Sequence, residues 1–118
     1  MGYYTDYYMR ADTMDKGTRA RIKLEFELFM FPVWEDYGFV DEGYELYTNA
    51  KWYEHRQDMV DLSKKFPDVL FTLKGVGEEF GDIWFEYYKG GKYQYCPVTF
   101  QFDDFDEDKL IEMKGEYE

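Results

Sequence analysis

The sequence has very few of the residues that build disulfides, zinc sites or membrane spans. It contains one cysteine, Cys96, and one histidine, His55. A single cysteine cannot form an internal disulfide, which is typical of a reducing cytoplasm. One histidine and one cysteine are too few for a zinc site unless carboxylates dominate it. The longest apolar run, 28–33, contains Pro32 and is too short to span a bilayer. We therefore expect a cytoplasmic protein that carries no metal or other cofactor.

The chain length predicts a single domain. At 118 residues the chain is long enough for one domain and too short for two. Residues 1–13 have no apolar stretch and carry three charges, so no signal peptide is expected. The sequence has no internal repeat and no linker rich in Pro, Gly and Ser. It therefore predicts one domain over residues 1–118, with an acidic segment at 103–118.

Basic residues are scarce relative to acidic ones. The chain has 14 Lys and Arg against 26 Asp and Glu, for a net charge of −12. Binding to phosphates needs an excess of Lys and Arg, so nucleic acid and anionic membranes are excluded as direct ligands. An acidic surface suits a protein partner with a basic surface. Acidity can also serve only to keep a small protein soluble, and the composition leaves both interpretations open.

Aromatic residues are abundant: 13 Tyr, 11 Phe and 3 Trp make up 23% of the chain. So many tyrosines exceed what one small core can bury, and exposed tyrosines are enriched where proteins bind each other. We therefore expect an aromatic contact surface that includes Tyr44 and Tyr88. The alternative is that the tyrosines serve strand formation, for which Tyr is well suited.

The hydrophobic pattern predicts mainly strands with one principal helix. Apolar and charged residues alternate over 19–31, which predicts a half-buried strand. Over 51–66, apolar residues at positions 59, 62 and 66 lie on one face of a helix that Pro67 ends. Further strands are expected at 3–10, 44–48, 69–74, 82–89 and 93–102.

Two local signals predict a hairpin and an edge strand at the C-terminal end of the predicted sheet. Gly90 and Gly91 stand between two strand patterns, which is typical of a two-residue hairpin turn. Pro97 lacks an N–H, so its strand is expected at the sheet edge or at a bulge. Strands joined by hairpins with the helix on one face predict an α+β fold, a small two-layer sandwich with a mainly antiparallel sheet. A ferredoxin-like arrangement is the leading expectation.

A series of short motifs is similar to motifs found in a known group of proteins. Between residues 51 and 92 the chain reads KWYEH, FPDVLF, GVGEE, GDIW and YYKGGK. In these motifs the chain resembles a group of small phage and prophage proteins of unassigned function, and its opening MGYYT is similar to theirs. It departs from the group at Glu54, where the group has Asp, and at Val76, where the group has Glu. The resemblance implies a phage or prophage origin and an α+β fold, and it brings no catalytic residues.

Two acidic clusters are the candidate sites. Glu78 and Glu79 lie on a glycine-rich loop and could do acid–base chemistry with His55 or hold a hard cation. The loop glycines more simply supply a turn between strands. The second cluster places five acids in six positions: Asp103, Asp104, Asp106, Glu107 and Asp108. It lacks the alternating ligands of a calcium loop, so it is either a solvated tail or a negatively charged docking surface.

The sequence favours a binding protein that is not an enzyme. We expect a phage-type accessory protein that binds and inhibits a host defence or nucleic-acid enzyme through an acidic, tyrosine-rich surface, with partial DNA mimicry as one mode. The expected contact residues are Asp103, Asp104, Asp106, Glu107, Asp108, Tyr44, Tyr88, Glu78 and Glu79. The alternatives are a small enzyme that uses Glu78, Glu79 and His55, and a passive homodimerisation module that pairs through an exposed edge strand.

Overall fold

The computed structural model describes residues 3–30, 40–41 and 45–113. Within them lie two α-helices, six strands and one 3-10 turn, Glu107–Lys109. The helices are α1 (Lys16–Met30) and α2 (His55–Lys65). The strands are β1 (Thr5–Asp12), β2 (Val40–Asp41), β3 (Glu45–Ala50), β4 (Leu70–Val76), β5 (Ile83–Lys89) and β6 (Lys92–Pro97).

The strands form one sheet in the order β2-β3-β1-β4-β5-β6, and every neighbouring pair is antiparallel. The predicted α+β class is confirmed. The first four strands and the two helices follow the order β1-α1-β2-β3-α2-β4 with the sheet order β2-β3-β1-β4, which is the expected ferredoxin-like arrangement, in which two helices each join parallel strands separated by a third. Here α2 makes such a connection, from β3 past β1 to β4. Helix α1 makes the other connection, from β1 past β3 to β2, and the hairpin of β5 and β6 extends the sheet beyond β4.

The strand predicted at 19–31 is wrong, because residues 16–30 form α1. Asp15 begins this helix: its Oδ2 accepts hydrogen bonds from the backbone N–H of Thr18 at 2.8 Å and from the Thr18 hydroxyl at 2.6 Å. An aspartate in this position satisfies an N–H that the first helical turn leaves unpaired. The described part of the chain therefore has two helices, where the sequence predicted one principal helix.

The alternating pattern was misleading because α1 leaves two of its leucines exposed. Ile22 and Phe26, four residues apart, are buried in the core. Leu24 and Leu28 lie on the other side of the helix, with 58% and 63% of their surface exposed. Periodicity assigns every leucine to the buried face, and that assumption fails here.

The core face of α2 and the hairpin turn are confirmed as predicted. In α2, Met59 and Leu62 are buried, as is Phe66 directly after the helix. Gly90 and Gly91 have φ of +58° and +83°, as the two central residues of the predicted hairpin turn require. The Gly91 N–H donates to Ser63 Oγ at 2.8 Å, which ties the hairpin to α2.

Both helices cover the same face of the sheet. Their buried residues join a single core cluster with the inward-facing side chains of the strands, among them Tyr7 and Met9 of β1, Phe71 and Leu73 of β4, and Trp84 and Tyr88 of β5. The opposite face carries the alternate residues of the same strands, which are half-buried or exposed. The fold is thus two layers, with one sheet face left uncovered by the described residues.

Strand β6 lies at the edge of the sheet, as Pro97 predicted. Lys89 pairs with Lys92 across the turn, and the Val98 N–H donates to the Ile83 carbonyl at 2.9 Å. In this register Pro97 falls at a position whose backbone points away from β5, so its missing N–H breaks no sheet hydrogen bond. The strand predicted to reach residue 102 ends at Pro97, because β5 begins at Ile83 and offers no partner beyond it.

Candidate functional site

The chain leaves the sheet at Val98 as a C-terminal arm, defined here as residues 98–113. Every residue of the arm is exposed. Its one regular feature is the 3-10 turn, which Asp106 caps by accepting the Asp108 N–H at 3.0 Å. A partner could therefore contact any residue of the arm.

The arm combines apolar and acidic side chains, both in contact with solvent. Phe102, Phe105 and Ile111 are 88%, 79% and 91% exposed, and Phe100, Leu110 and Met113 are also exposed. The five predicted contact acids of the arm lie between them. Within the described residues, the arm's one ion pair joins Lys109 Nζ to Asp103 Oδ2 at 3.8 Å. Clustered exposed apolar side chains bordered by charge are typical of an interaction surface.

The arm begins against the loop between β4 and β5. Phe100 stacks on Phe80 with ring centroids 5.4 Å apart and ring planes within 13°. Beside this pair, Gly81 has φ of +86°, and a Cβ at Gly81 would lie 3.3 Å from the Phe100 ring. The same loop carries the exposed Glu78 and Glu79. The stacking of Phe100 on Phe80 thus joins the arm, which carries one predicted acidic cluster, to the loop that carries the other.

The two predicted tyrosine contacts have different outcomes. Tyr88 must be removed from the contact residues, because its side chain is fully buried and its hydroxyl donates to Glu86. An inward-facing position on a central part of the sheet accounts for this burial. Tyr44 lies outside the described residues. Exposed tyrosines are instead found at Tyr53, Tyr93 and Tyr95.

The structure contains a buried charged cluster that the sequence reasoning missed. Glu86 of β5 is fully buried, with one carboxylate oxygen 2.9 Å from His55 Nε2. The guanidinium of Arg56 donates to the other oxygen through both Nε and Nη2. Because an ionised carboxylate only accepts hydrogen bonds, Nε2 of His55 carries the hydrogen. Glu86 therefore fastens the first turn of α2 to β5.

The charge of Glu86 is stabilised by its partners. Burial alone would raise the pKa of Glu86, but hydrogen bonds from His55, Tyr88 and Arg56 outweigh it and lower the pKa to about 2. Burial raises the pKa of Tyr88, and its hydrogen bond to Glu86 raises it further. Arg56 also lies over the Tyr93 ring, with its Cζ 4.5 Å from the ring centroid. The cluster holds α2 and β6 in place as well as β5.

One sequence signal could have revealed this cluster. Glu86 stands between Trp84 and Tyr88 on the strand face that is otherwise apolar. A charged residue at an inward position needs a partner of opposite charge. That partner, Arg56, is thirty residues away in the sequence, so local patterns could not identify it.

The structure separates the residues of the enzyme alternative. His55 and Asp82 line a pocket of about 250 Å³, but neither Glu78 nor Glu79 is among its lining residues. Glu78 accepts a hydrogen bond from the Tyr4 N–H at 2.6 Å, and the Glu79 N–H donates to Tyr3 Oη at 2.9 Å. These contacts fix the loop against the start of β1. Glu78 and Glu79 therefore lie outside the described lining of the pocket that contains His55.

Neither a metal-binding cluster nor a membrane-spanning helix is found in the described part of the chain. No group of three or more His, Cys, Asp and Glu side chains there is placed to hold a metal ion. None of the described helices is both long and apolar enough to cross a membrane. Comparison of the chain with protein-family models, with curated proteins and with solved structures finds no match.

Proposed function

We propose that this protein is a non-enzymatic binding protein whose C-terminal arm captures a basic surface on another protein. The observation that carries the proposal is the exposure of the arm's apolar side chains. Phe102, Phe105 and Ile111 are each more than three-quarters exposed, beside carboxylates. Covering such side chains gains about 25 cal/mol for each Å² removed from water, which favours a partner that covers them.

Charge selects the partner. Five of the arm's six acids lie within six residues, 103–108, which span at most about 20 Å. Five charges over that length give at least one charge per about 4 Å, close to the one per 3.4 Å along a single DNA strand. The arm thus resembles a short stretch of phosphate backbone in its linear charge density. This supports a nucleic-acid-binding protein as the target and a partial DNA mimic as the mode of action.

The resemblance to small phage proteins gives this proposal its biological setting. A phage protein that occupies a nucleic-acid site with an acidic arm would inhibit a host defence or nucleic-acid enzyme by stoichiometric capture. Homodimerisation through the arms alone is disfavoured, because two arms would bring twelve carboxylates together.

Site-specific cross-linking tests the proposal. A photoreactive phenylalanine analogue placed at Phe102 should cross-link a single partner in a host lysate. The same analogue at Tyr87, on the uncovered sheet face, serves as the control. Heparin, a polyanion, should compete with capture at Phe102, because both would occupy the partner's basic surface.

A second variant connects capture to charge. The arm variant Asp103→Asn, Asp104→Asn, Asp106→Asn, Glu107→Gln and Asp108→Asn, carrying the same photoreactive group, should lose most of the cross-link. If Phe102 and Tyr87 capture the same proteins, or if neither heparin nor the arm variant affects capture, the proposal is wrong.

A further inference from the structure

A pocket walled by aromatic rings opens beside the start of β1, and the proposed function does not use it. Its volume is about 250 Å³, several times the roughly 30 Å³ that one water occupies in the liquid. Five aromatic side chains line it: Tyr3, Tyr7, Trp52, Tyr53 and Trp84. Tyr7, Trp52 and Trp84 are buried and form its floor, whereas Tyr53 is exposed and forms its rim.

The floor of the pocket is rigid because each ring is fixed by a specific contact. Tyr7 Oη donates to the Trp52 carbonyl at 3.2 Å, and Trp52 Nε1 donates to Asp58 at 2.7 Å. The Tyr7 and Trp52 rings meet edge to face, with centroids 5.0 Å apart. Trp84 stacks on His55 at 5.1 Å, and His55 is itself bonded to Glu86. A ligand would therefore meet a preformed site.

A carboxylate gives the pocket its charge preference. Asp82 lines the pocket, and its Oδ2 accepts a hydrogen bond from Tyr3 Oη at 2.7 Å. Apart from Tyr3, no described residue donates a hydrogen bond to the Asp82 side chain, so its other oxygen is available to a ligand. No Lys or Arg appears among the described lining residues.

We propose that this pocket binds an alkylammonium group. Aromatic faces attract organic cations, and the attraction increases where water is excluded. A nearby carboxylate adds a charge-assisted contact that a neutral ligand of the same shape cannot make. The alkylammonium group can belong to a lysine side chain of a protein partner or to a small quaternary amine. The site is separate from the arm, so it does not depend on the proposed function.

Paired probes of equal shape test this site in the full-length protein. Choline and its neutral isostere 3,3-dimethylbutan-1-ol differ in charge and not in shape. Choline should shift the indole N–H NMR signals of Trp52 and Trp84 in a saturable way, with affinity in the millimolar range. The neutral isostere should bind at least about fivefold more weakly. Equal shifts from the two probes would overturn the proposal.

Two variants localise the binding. Asp82→Asn, which keeps an oxygen for Tyr3, and Tyr53→Ala should each weaken choline binding at least about fivefold. The matched controls Asp68→Asn and Tyr95→Ala remove an exposed acid and an exposed tyrosine outside the pocket, and should leave it unchanged. Choline binding that survives both pocket variants would overturn the site.

The source of the cation and its independence from the arm are tested with the same signals. Nα-acetyl-lysine methylamide binding more tightly than choline would assign the pocket to a partner's lysine, and the reverse order would assign it to a quaternary amine. Either order supports the site.

The arm variant with five neutralised acids should bind choline within about twofold of wild type, since screening at physiological salt removes most long-range attraction. Loss of binding in that variant would show that the arm's charge, and not the pocket, holds the cation.

Discussion

Arg56 on α2 and the fully buried Glu86 on β5 form an ion pair that connects the helical layer to the sheet. The Glu86 carboxylate also accepts hydrogen bonds from His55 and Tyr88, so three side chains together stabilise its buried negative charge. Removing a single partner from a buried ion pair is costly because the remaining charge has lost its compensation. A surface pair made by the same helix, Lys65 with Glu25 of α1, offers a direct comparison.

Arg56→Met should therefore lower the free energy of unfolding by about 3 kcal/mol, since it removes the charge of Arg56 and both of its hydrogen bonds to the buried Glu86. Lys65→Met should cost no more than about 1 kcal/mol, because its ion pair with Glu25 is exposed. Urea denaturation of both variants measures the difference. Equal losses in the two variants would contradict a buried ion pair as the main link between α2 and β5.

The pH dependence of stability should show the same cluster. The pKa of Glu86 falls from its ordinary 4.5 to about 2 in the folded protein. A group whose pKa is lowered by folding stabilises the protein above its unfolded pKa, and that contribution is lost as the pH falls from 4.5 towards 2. The lowering corresponds to about 3 kcal/mol.

Glu86→Gln isolates this contribution, because it removes the titrating group and keeps its shape. The difference in unfolding free energy between wild type and Glu86→Gln should be constant above about pH 5 and should shrink by about 3 kcal/mol between pH 4.5 and 2. A difference that does not change with pH across this window would show that Glu86 is not held ionised in the fold.

Local sequence signals predicted about half of these features. The hairpin and α2 could be predicted because Gly90, Gly91 and Pro67 act through their own backbones. Helix α1 was missed because its exposed leucines imitate strand alternation. The Glu86 cluster could not be predicted because its partners come from another element thirty residues away.

The candidate sites likewise combine features that local sequence predicts and features that only the tertiary fold decides. The acidity of residues 103–108 was evident from composition. The exposure of Phe102 and Phe105 depends on where β5 begins, which only the sheet register decides. The predicted contact Tyr88 failed for a similar reason, because strand alternation gives two faces but does not say which one the helices cover.

A substitution at the contact between Gly75 and Trp84 tests how tightly the sheet is packed beneath the helices. They are direct partners across β4 and β5, and a Cβ on Gly75 would lie 2.1 Å from the Trp84 ring. Gly75→Ala should therefore destabilise the protein by about 1–3 kcal/mol and alter the near-ultraviolet circular dichroism of the tryptophans. Gly17→Ala, in α1, has its nearest atom at 3.5 Å and should change stability by no more than about 1 kcal/mol. Similar destabilisation in both variants would mean that the indole can move aside.

Salt should slow the arm's capture of its partner if charge steers the encounter. Raising the salt concentration from about 0.1 to 1 M shortens the screening length from about 10 to 3 Å. Association of the wild-type protein with the cross-linked partner should then slow by about tenfold or more, while dissociation changes less. Surface plasmon resonance against the purified partner measures both rates.

The two components of the arm should affect different rate constants. Neutralising Asp103, Asp104, Asp106, Glu107 and Asp108 removes five of the twelve net charges, so this variant should associate slowly at low salt and respond little to added salt. Phe102→Ser with Phe105→Ser keeps the charge and removes apolar contacts, so it should associate normally and dissociate faster. Because the arm is exposed, both variants should unfold within about 0.5 kcal/mol of wild type. If both variants associate and dissociate at wild-type rates, the partner binds elsewhere on the molecule and the arm is only a solvated tail.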